Sequence, residues 1–128
     1  MRNNPPMQTL LRRYEKKLVS ILNQSLAWNY AKLPNNTLEL QLAKYYEEVD
    51  EAIEAEQDNY QHFVEEVCDV LISIGGMMRF DSNLAQEMLN HLLKDIDKYI
   101  FMDVVDYAEQ KIQILYEREY SNGYRHDN

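Results

Sequence analysis

The chain is poor in the residues that break helices or cross-link folds. Its 128 residues include only three glycines, three prolines and one cysteine, Cys68. Scarce helix breakers favour helices over strands, and a single cysteine excludes an internal disulfide. We expect Cys68 to be a small buried apolar residue.

The sequence also lacks a long apolar segment. No run of about 18 apolar residues occurs, and the N-terminus has no apolar centre of the kind found in signal peptides. Neither membrane insertion nor export is therefore indicated, and the cytoplasm is the expected compartment. Glycine-rich phosphate loops, cysteine pairs and HExxH motifs are missing as well.

Basic residues are few and unevenly distributed. The net charge is −9, yet residues 1–32 carry six Lys or Arg against Glu15 alone. A basic first helix can pack beside acidic ones, or its charges can hold a phosphorylated ligand. The residues in question are Arg12, Arg13, Lys16 and Lys17. The acidic remainder argues against nonspecific nucleic-acid binding.

Apolar periodicity predicts five helices in one domain, 1–128. They cover about residues 7–27, 38–57, 60–79, 82–99 and 104–120. Thr37 and Asp81 are good N-caps, and Asn122-Gly123 ends the last helix. The predicted fold class is all-α, a helical bundle of four to five helices with a central antiparallel hairpin.

The third helix is apolar over most of its circumference and should be central. Within it, Gly75-Gly76 should permit close helix packing rather than bind phosphate. We expect its apolar flanks to be exposed, which predicts a homodimer or a higher homo-oligomer.

Two acidic doublets are the clearest sign of chemistry. Glu48-x-x-Glu51 and Glu66-x-x-Asp69 mirror each other about a turn between residues 58 and 59, so four carboxylates would meet on a helical hairpin. Such a cluster repels itself unless a cation fills it, and hard oxygen ligands suit Mg²⁺ or Mn²⁺. Ordinary solvated acidic faces are the alternative.

The chemistry expected of a hard-oxygen site is phosphoryl transfer, because Mg²⁺ is commonly bound together with substrate phosphates. Glu47, next to the first doublet, is the nearest carboxylate that could orient an attacking water. A di-iron bundle would need Glu-x-x-His, and none of His62, His91 and His126 has a glutamate three residues before it.

Two segments, KYYEEVDEAI at 44–53 and EVCDVL at 66–71, resemble the EExxE and ExxD motif pair of the MazG-like, all-α nucleoside triphosphate pyrophosphohydrolases. The resemblance covers about residues 37–79. It implies a Mg²⁺-dependent enzyme, with Mn²⁺ as a possible substitute. It also implies hydrolysis of a (d)NTP to the monophosphate and pyrophosphate, usually by a dimer or larger oligomer.

The resemblance assigns Glu48, Glu51, Glu66 and Asp69 as metal ligands. It leaves Glu47 as the candidate for activating water.

The nucleotide would be bound by residues around this motif pair. Lys44 lies inside the first segment, while Lys111 and Arg118 are suitably spaced on the last helix to reach phosphates; ordinary surface charge is the alternative. Gln24 and Trp28 could contact or stack on a base, but the indole of Trp28 is expected rather as a core residue.

Two other functions stay open. A noncatalytic helical dimer could bind a nucleotide or a protein with the same acidic face. A phosphoribosyl-ATP pyrophosphohydrolase-like enzyme would share the architecture and differ only in substrate.

Overall fold

The computed structural model describes residues 6–117, 119–121 and 124–126. The elements are α1 (Met7–Lys32), α2 (Leu38–Glu56), α3 (Tyr60–Met77), α4 (Ser82–Asp95), α5 (Lys98–Glu117), β1 (Glu119–Ser121) and β2 (Tyr124–His126). The predicted all-α class with five helices is confirmed, and a short antiparallel ribbon of β1 and β2 follows the last helix. None of the helices in this described part combines the length and apolar character needed to span a membrane.

α3 is the central helix, as its composition predicts. It contacts all four other helices, and from Val70 to Met77 every residue is buried. The apolar flanks of α3 are therefore covered within the chain by α1, α4 and α5. This corrects the expectation that those flanks are exposed and available to a second copy.

Polar side chains fix the ends of the central hairpin. The Thr37 hydroxyl accepts a hydrogen bond from the Leu40 N–H at 3.2 Å, and the Asn59 side chain accepts one from the His62 N–H at 2.8 Å. Each cap satisfies a backbone donor that would otherwise lack a partner at a helix start. The chain reverses between α2 and α3 at residues 57–59, which confirms the predicted turn.

Some helix boundaries differ from the prediction. α1 continues to Lys32, so the chain breaks later than the polar segment around Trp28 suggests. α4 ends at Asp95 rather than Tyr99, and α5 begins at Lys98 rather than near Val104. Asp97 explains the second difference, since its carboxylate accepts hydrogen bonds from the Tyr99 and Ile100 N–H groups at 2.9 and 2.8 Å and so starts α5.

The charge asymmetry is explained in part by packing between α1 and α5. The Lys17 ammonium lies 3.2 Å from Glu109 and 3.9 Å from Asp106. These pairs are half exposed, so each contributes little to stability. For Lys17, the expectation of a basic helix beside an acidic one is confirmed.

Two glycines let α1 and α2 approach α3 closely. A Cβ on Gly75 would lie 2.5 Å from the Ser25 Cβ, and a Cβ on Gly76 would lie 2.5 Å from the Asn29 Nδ2 and 2.6 Å from the Gln41 Nε2. Real Cβ atoms do not approach that closely, so only glycine fits. The predicted packing role of Gly75-Gly76 is confirmed.

We predict that Gly75→Ala destabilises the protein by about 1–3 kcal/mol in urea unfolding, because the added methyl group overpacks the α1–α3 contact. Helix propensity alone would stabilise this variant by about 1 kcal/mol. In the Gly75→Ala background, Ser25→Gly should recover part of the loss, since it removes the nearest atom. If Gly75→Ala lowers the free energy of unfolding equally in the parental and the Ser25→Gly backgrounds, this packing explanation is wrong.

Candidate metal-binding site

The site depends on how α2 is rotated against α3. The buried residues of α2 are Gln41, Glu48, Ala52 and Ala55, and Glu48 is only 5% exposed. The two alanines allow close approach, and the Gln41 amide donates a hydrogen bond to the Ser73 carbonyl of α3 at 2.8 Å. α2 therefore turns an acidic side toward the core.

The sequence of α2 has an apolar stripe centred on Val49, which predicts a different rotation. Its other members are Leu38, Leu42, Tyr45, Ala52 and Ile53. Leu38 and Ile53 belong to that stripe, yet both are exposed, Ile53 by 61%. The observed buried face is displaced from the stripe by roughly a quarter turn. Gln41 and the small alanines decide the rotation, whereas the larger apolar residues stay partly or fully outside.

The mirrored carboxylates do meet. Single oxygens of Glu48, Glu66 and Asp69 all lie within 4.8 Å of one another, and so do single oxygens of Glu47, Glu48 and Glu51. Glu48 belongs to both groups. The structure thus places the four residues proposed as metal ligands in two groups that share Glu48, with Glu47 at the exposed edge.

Two lysines neutralise part of this charge. The Lys44 ammonium lies 2.9 Å from Glu48 Oε1, one turn away on α2, and the Lys111 ammonium of α5 lies 3.2 Å from Asp69 Oδ1. Both lysines are candidates for holding substrate phosphates. In the structure each one already contacts a carboxylate of the cluster.

Two carboxylate oxygens remain without a partner. Glu48 Oε2 and Glu66 Oε2 are buried, and with every carboxylate ionised neither has a hydrogen-bond donor among the described residues. A protonated Glu51 can donate a hydrogen bond to Glu66, but that contact is lost when Glu51 ionises. Leaving such an acceptor unsatisfied is costly. Exposed acidic groups often occur without an ion, but these two oxygens are shielded from water, and hard oxygen donors fit Mg²⁺ or Mn²⁺.

Burial, together with the crowding of negative charge, raises the pKa values of three of these carboxylates. Burial, followed by the charges of Glu48 and Glu66, raises the pKa of Glu51 to about 7. Burial also raises the pKa of Glu48 and of Asp69, against the opposing effect of their lysine partners. Holding all these carboxylates ionised therefore requires additional positive charge.

The pKa values of the two lysines are also raised. Burial is the largest single influence on Lys44 and Lys111 and lowers their pKa values, but the adjacent carboxylates together outweigh it and raise both. Both ammonium groups are therefore charged at neutral pH.

The candidates for contacting a base do not join the cluster. Trp28 is 8% exposed and its indole N–H donates to the Leu115 carbonyl at 3.1 Å, so it is a core residue, as the alternative to base stacking predicted. Gln24 donates to the Ser20 hydroxyl at 2.9 Å, on the side of α1 where its carbonyl accepts from Tyr116. Arg118 lies outside the described residues.

The sequence pattern did not indicate His62 as part of this site. Its Nδ1 lies 2.8 Å from Asp58 Oδ2, and its Nε2 lies 3.3 Å from Glu66 Oε1. The hydrogen bond with Asp58 is the main reason that the pKa of His62 is raised. The available signal was the i, i+4, i+8 spacing of Asp58, His62 and Glu66, which puts them on one helix face.

Comparisons with protein-family models, with curated proteins and with solved structures found no match to this chain. The MazG-like resemblance therefore depends on the motif pair alone.

We predict that without divalent cations the melting temperature falls as the pH rises from about 4.5 to about 7. Over that range Glu51 keeps its proton when folded and loses it when unfolded, so the folded state binds more protons and the free energy of unfolding falls. Glu48 and Asp69, whose pKa values are also raised, act in the same direction. Circular dichroism melts in chelating buffer across this range measure the slope.

Glu51→Gln should flatten that slope. Its matched control is Glu54→Gln, an exposed change on the same helix, which should leave the slope unchanged. Mg²⁺ should raise the melting temperature most at the upper end of the range, where the cluster is ionised. A Glu51→Gln slope equal to the parental one would contradict the prediction.

Proposed function

We propose that this protein is a Mg²⁺-dependent nucleoside triphosphate pyrophosphohydrolase that converts a (d)NTP to the monophosphate and pyrophosphate. The observation that carries the proposal is the pair of buried, unpartnered oxygens of Glu48 and Glu66 inside a cluster formed by two helices. The EExxE and ExxD motif pair supports the same function.

The residues that would hold the metal are Glu48, Glu51, Glu66 and Asp69. When bound, Mg²⁺ or Mn²⁺ neutralises these carboxylates and polarises phosphate oxygens. Two carboxylates come from each helix of the hairpin, so the packing of α2 on α3 sets their separation.

The remaining polar groups of the site would have separate roles in substrate binding and in proton transfer. Lys44 and Lys111 contact the cluster on different sides, from α2 and α5, and their ammonium groups would bind nucleotide phosphates. The exposed Glu47 carboxylate, beside Glu48 and Glu51, would accept a proton from the attacking water. The water oxygen forms a bond to the α-phosphorus. The bond between the α-phosphorus and the α–β bridging oxygen breaks, and pyrophosphate leaves with that oxygen.

Glu48→Gln and Asp69→Asn should each abolish Mg²⁺-dependent pyrophosphate release. The loss should exceed the roughly 10- to 100-fold that follows removal of a residue supporting a metal ligand. A panel of (d)NTPs and phosphoribosyl-ATP, assayed with Mg²⁺ or with chelator, measures it. The panel also separates the two pyrophosphohydrolase substrates.

The matched control is Glu54→Gln on the exposed side of α2, which should keep the parental rate. Circular dichroism shows whether each variant is folded. Parental turnover by both Glu48→Gln and Asp69→Asn would show that the assigned site is wrong.

A noncatalytic dimer is the second candidate function, favoured by the lysine contacts and by the exposed stripe of α2. If no nucleotide in the panel is hydrolysed with Mg²⁺ while the protein still binds one, this alternative replaces the enzyme.

We further propose that the protein forms a homodimer through the apolar stripe of α2. Leu38, Tyr46 and Ile53 are exposed, and α2 packs chiefly on α3. A twofold axis would let the same stripe on two copies cover itself. This surface replaces the flanks of α3 as the candidate interface.

Ile53→Lys should convert the dimer to a monomer in sedimentation experiments, because it places a charge in the apolar contact. Ile114→Lys, the same change at an exposed position of α5, is the control and should leave the dimer intact. Monomeric parental protein at all concentrations, or equal dissociation by both variants, would contradict the proposed interface.

A further inference from the structure

Three side chains form a continuous polar chain from the hairpin turn to the carboxylate cluster. Asp58 lies in the turn, and His62 and Glu66 follow at successive four-residue steps. His62 Nδ1 lies 2.8 Å from Asp58 Oδ2, and its Nε2 lies 3.3 Å from Glu66 Oε1. Both ring nitrogens are therefore engaged.

The two oxygens of Glu66 are in different surroundings. Oε1 contacts the histidine ring, whereas Oε2 is buried without a hydrogen-bond donor among the described residues. A glutamate side chain has several rotatable bonds, and holding one oxygen restricts where the other can go. The His62 contact thus leaves Oε2 as the oxygen available to a cation.

The ring of His62 is itself held at the start of α3. Its backbone N–H donates to the Asn59 side chain at 2.8 Å, and the Asn59 amide lies 3.4 Å from the same Asp58 oxygen that contacts the ring. The turn that reverses the hairpin therefore also fixes the direction of the imidazole.

We propose that His62 is a positioning residue that orients Glu66 for metal binding, with Asp58 fixing the ring. The inference rests on the metal site of the proposed function. It assigns His62 no contact with substrate or metal. Polar groups that hold a metal ligand by its far atom commonly act in this way.

Measurements of stability and of metal affinity distinguish the positioning role of His62 from a purely structural role. The His62 side chain is 45% exposed, and exposed ion pairs contribute little to folding. Removing the ring should therefore leave the melting temperature almost unchanged. It should weaken metal binding, because Glu66 loses the contact that fixes its rotamer.

The test compares Mn²⁺ affinity, measured by electron paramagnetic resonance without nucleotide, in the full chain and three variants. His62→Ala should bind Mn²⁺ roughly 10- to 100-fold more weakly. His62→Gln, whose amide can still donate to Glu66, should recover most of the affinity. His91→Ala removes an exposed histidine on α4 and should match the parent.

Pyrophosphate release provides a second readout. In His62→Ala the Mg²⁺ concentration for half-maximal rate should rise by the same factor as the Mn²⁺ dissociation constant. The rate at saturating Mg²⁺ should stay near the parental value, because the ring touches no reacting atom.

The outcomes distinguish the two proposals. Parental Mn²⁺ affinity in His62→Ala overturns the role of His62 and leaves the hydrolase proposal standing. A parent that binds Mn²⁺ but hydrolyses no nucleotide overturns the hydrolase, while weaker Mn²⁺ binding by His62→Ala still supports the positioning role. Equal losses of affinity and melting temperature in His62→Ala and His62→Gln indicate a structural role and overturn it. A parent that binds no Mn²⁺ overturns both.

Discussion

The burial of Glu48 between α2 and α3 is the constraint on which the rest of the structure depends. A carboxylate that is 5% exposed can stay ionised only if positive charge or donors surround it. Lys44 supplies one such contact, and Oε2 still has no donor among the described residues. An apolar residue at position 48 would pack beside Ala52 and α3 without the free-energy cost of burying a charge. The sequence instead keeps a charge at the centre of its tightest helix contact, which favours a functional explanation.

Charge around the cluster follows from this constraint. The carboxylates of Glu48, Glu51, Glu66 and Asp69 lie together, and two ammonium groups neutralise only part of their charge. The raised pKa of Glu51 reflects the negative charge that the lysines leave unneutralised, since burial and two neighbouring carboxylates disfavour its ionisation. A divalent cation would remove this excess charge, and it would free the lysines for phosphate oxygens. Metal and triphosphate are thus complementary to the same set of side chains.

Features set by neighbouring residues in the chain could be predicted from the sequence. Most features set by contacts between helices could not. The Thr37 cap and the turn before Asn59 are local, and each was found where expected. The meeting of the mirrored carboxylates involves two helices, but it follows from the position of that turn. The rotation of α2 depends on Gln41 contacting α3, so the apolar stripe predicted a face about a quarter turn away from the buried one. The Lys111 contact with Asp69 likewise needs α5 in place. Asn122-Gly123, which was interpreted as a helix stop, lies outside the described residues.

The two helices that carry the site, α2 and α3, are restrained by different numbers of neighbouring helices. α3 is enclosed by the other helices, and Gly75 lets α1 lie directly against it, so Glu66 and Asp69 sit on a fixed support. α2 packs chiefly on α3, and its rotation is set by the hairpin turn at one end and by the Gln41 hydrogen bond at the other. Glu48 lies between these two restraints. A change in either restraint would rotate one pair of ligands relative to the other, so metal geometry is coupled to contacts that touch neither metal nor substrate.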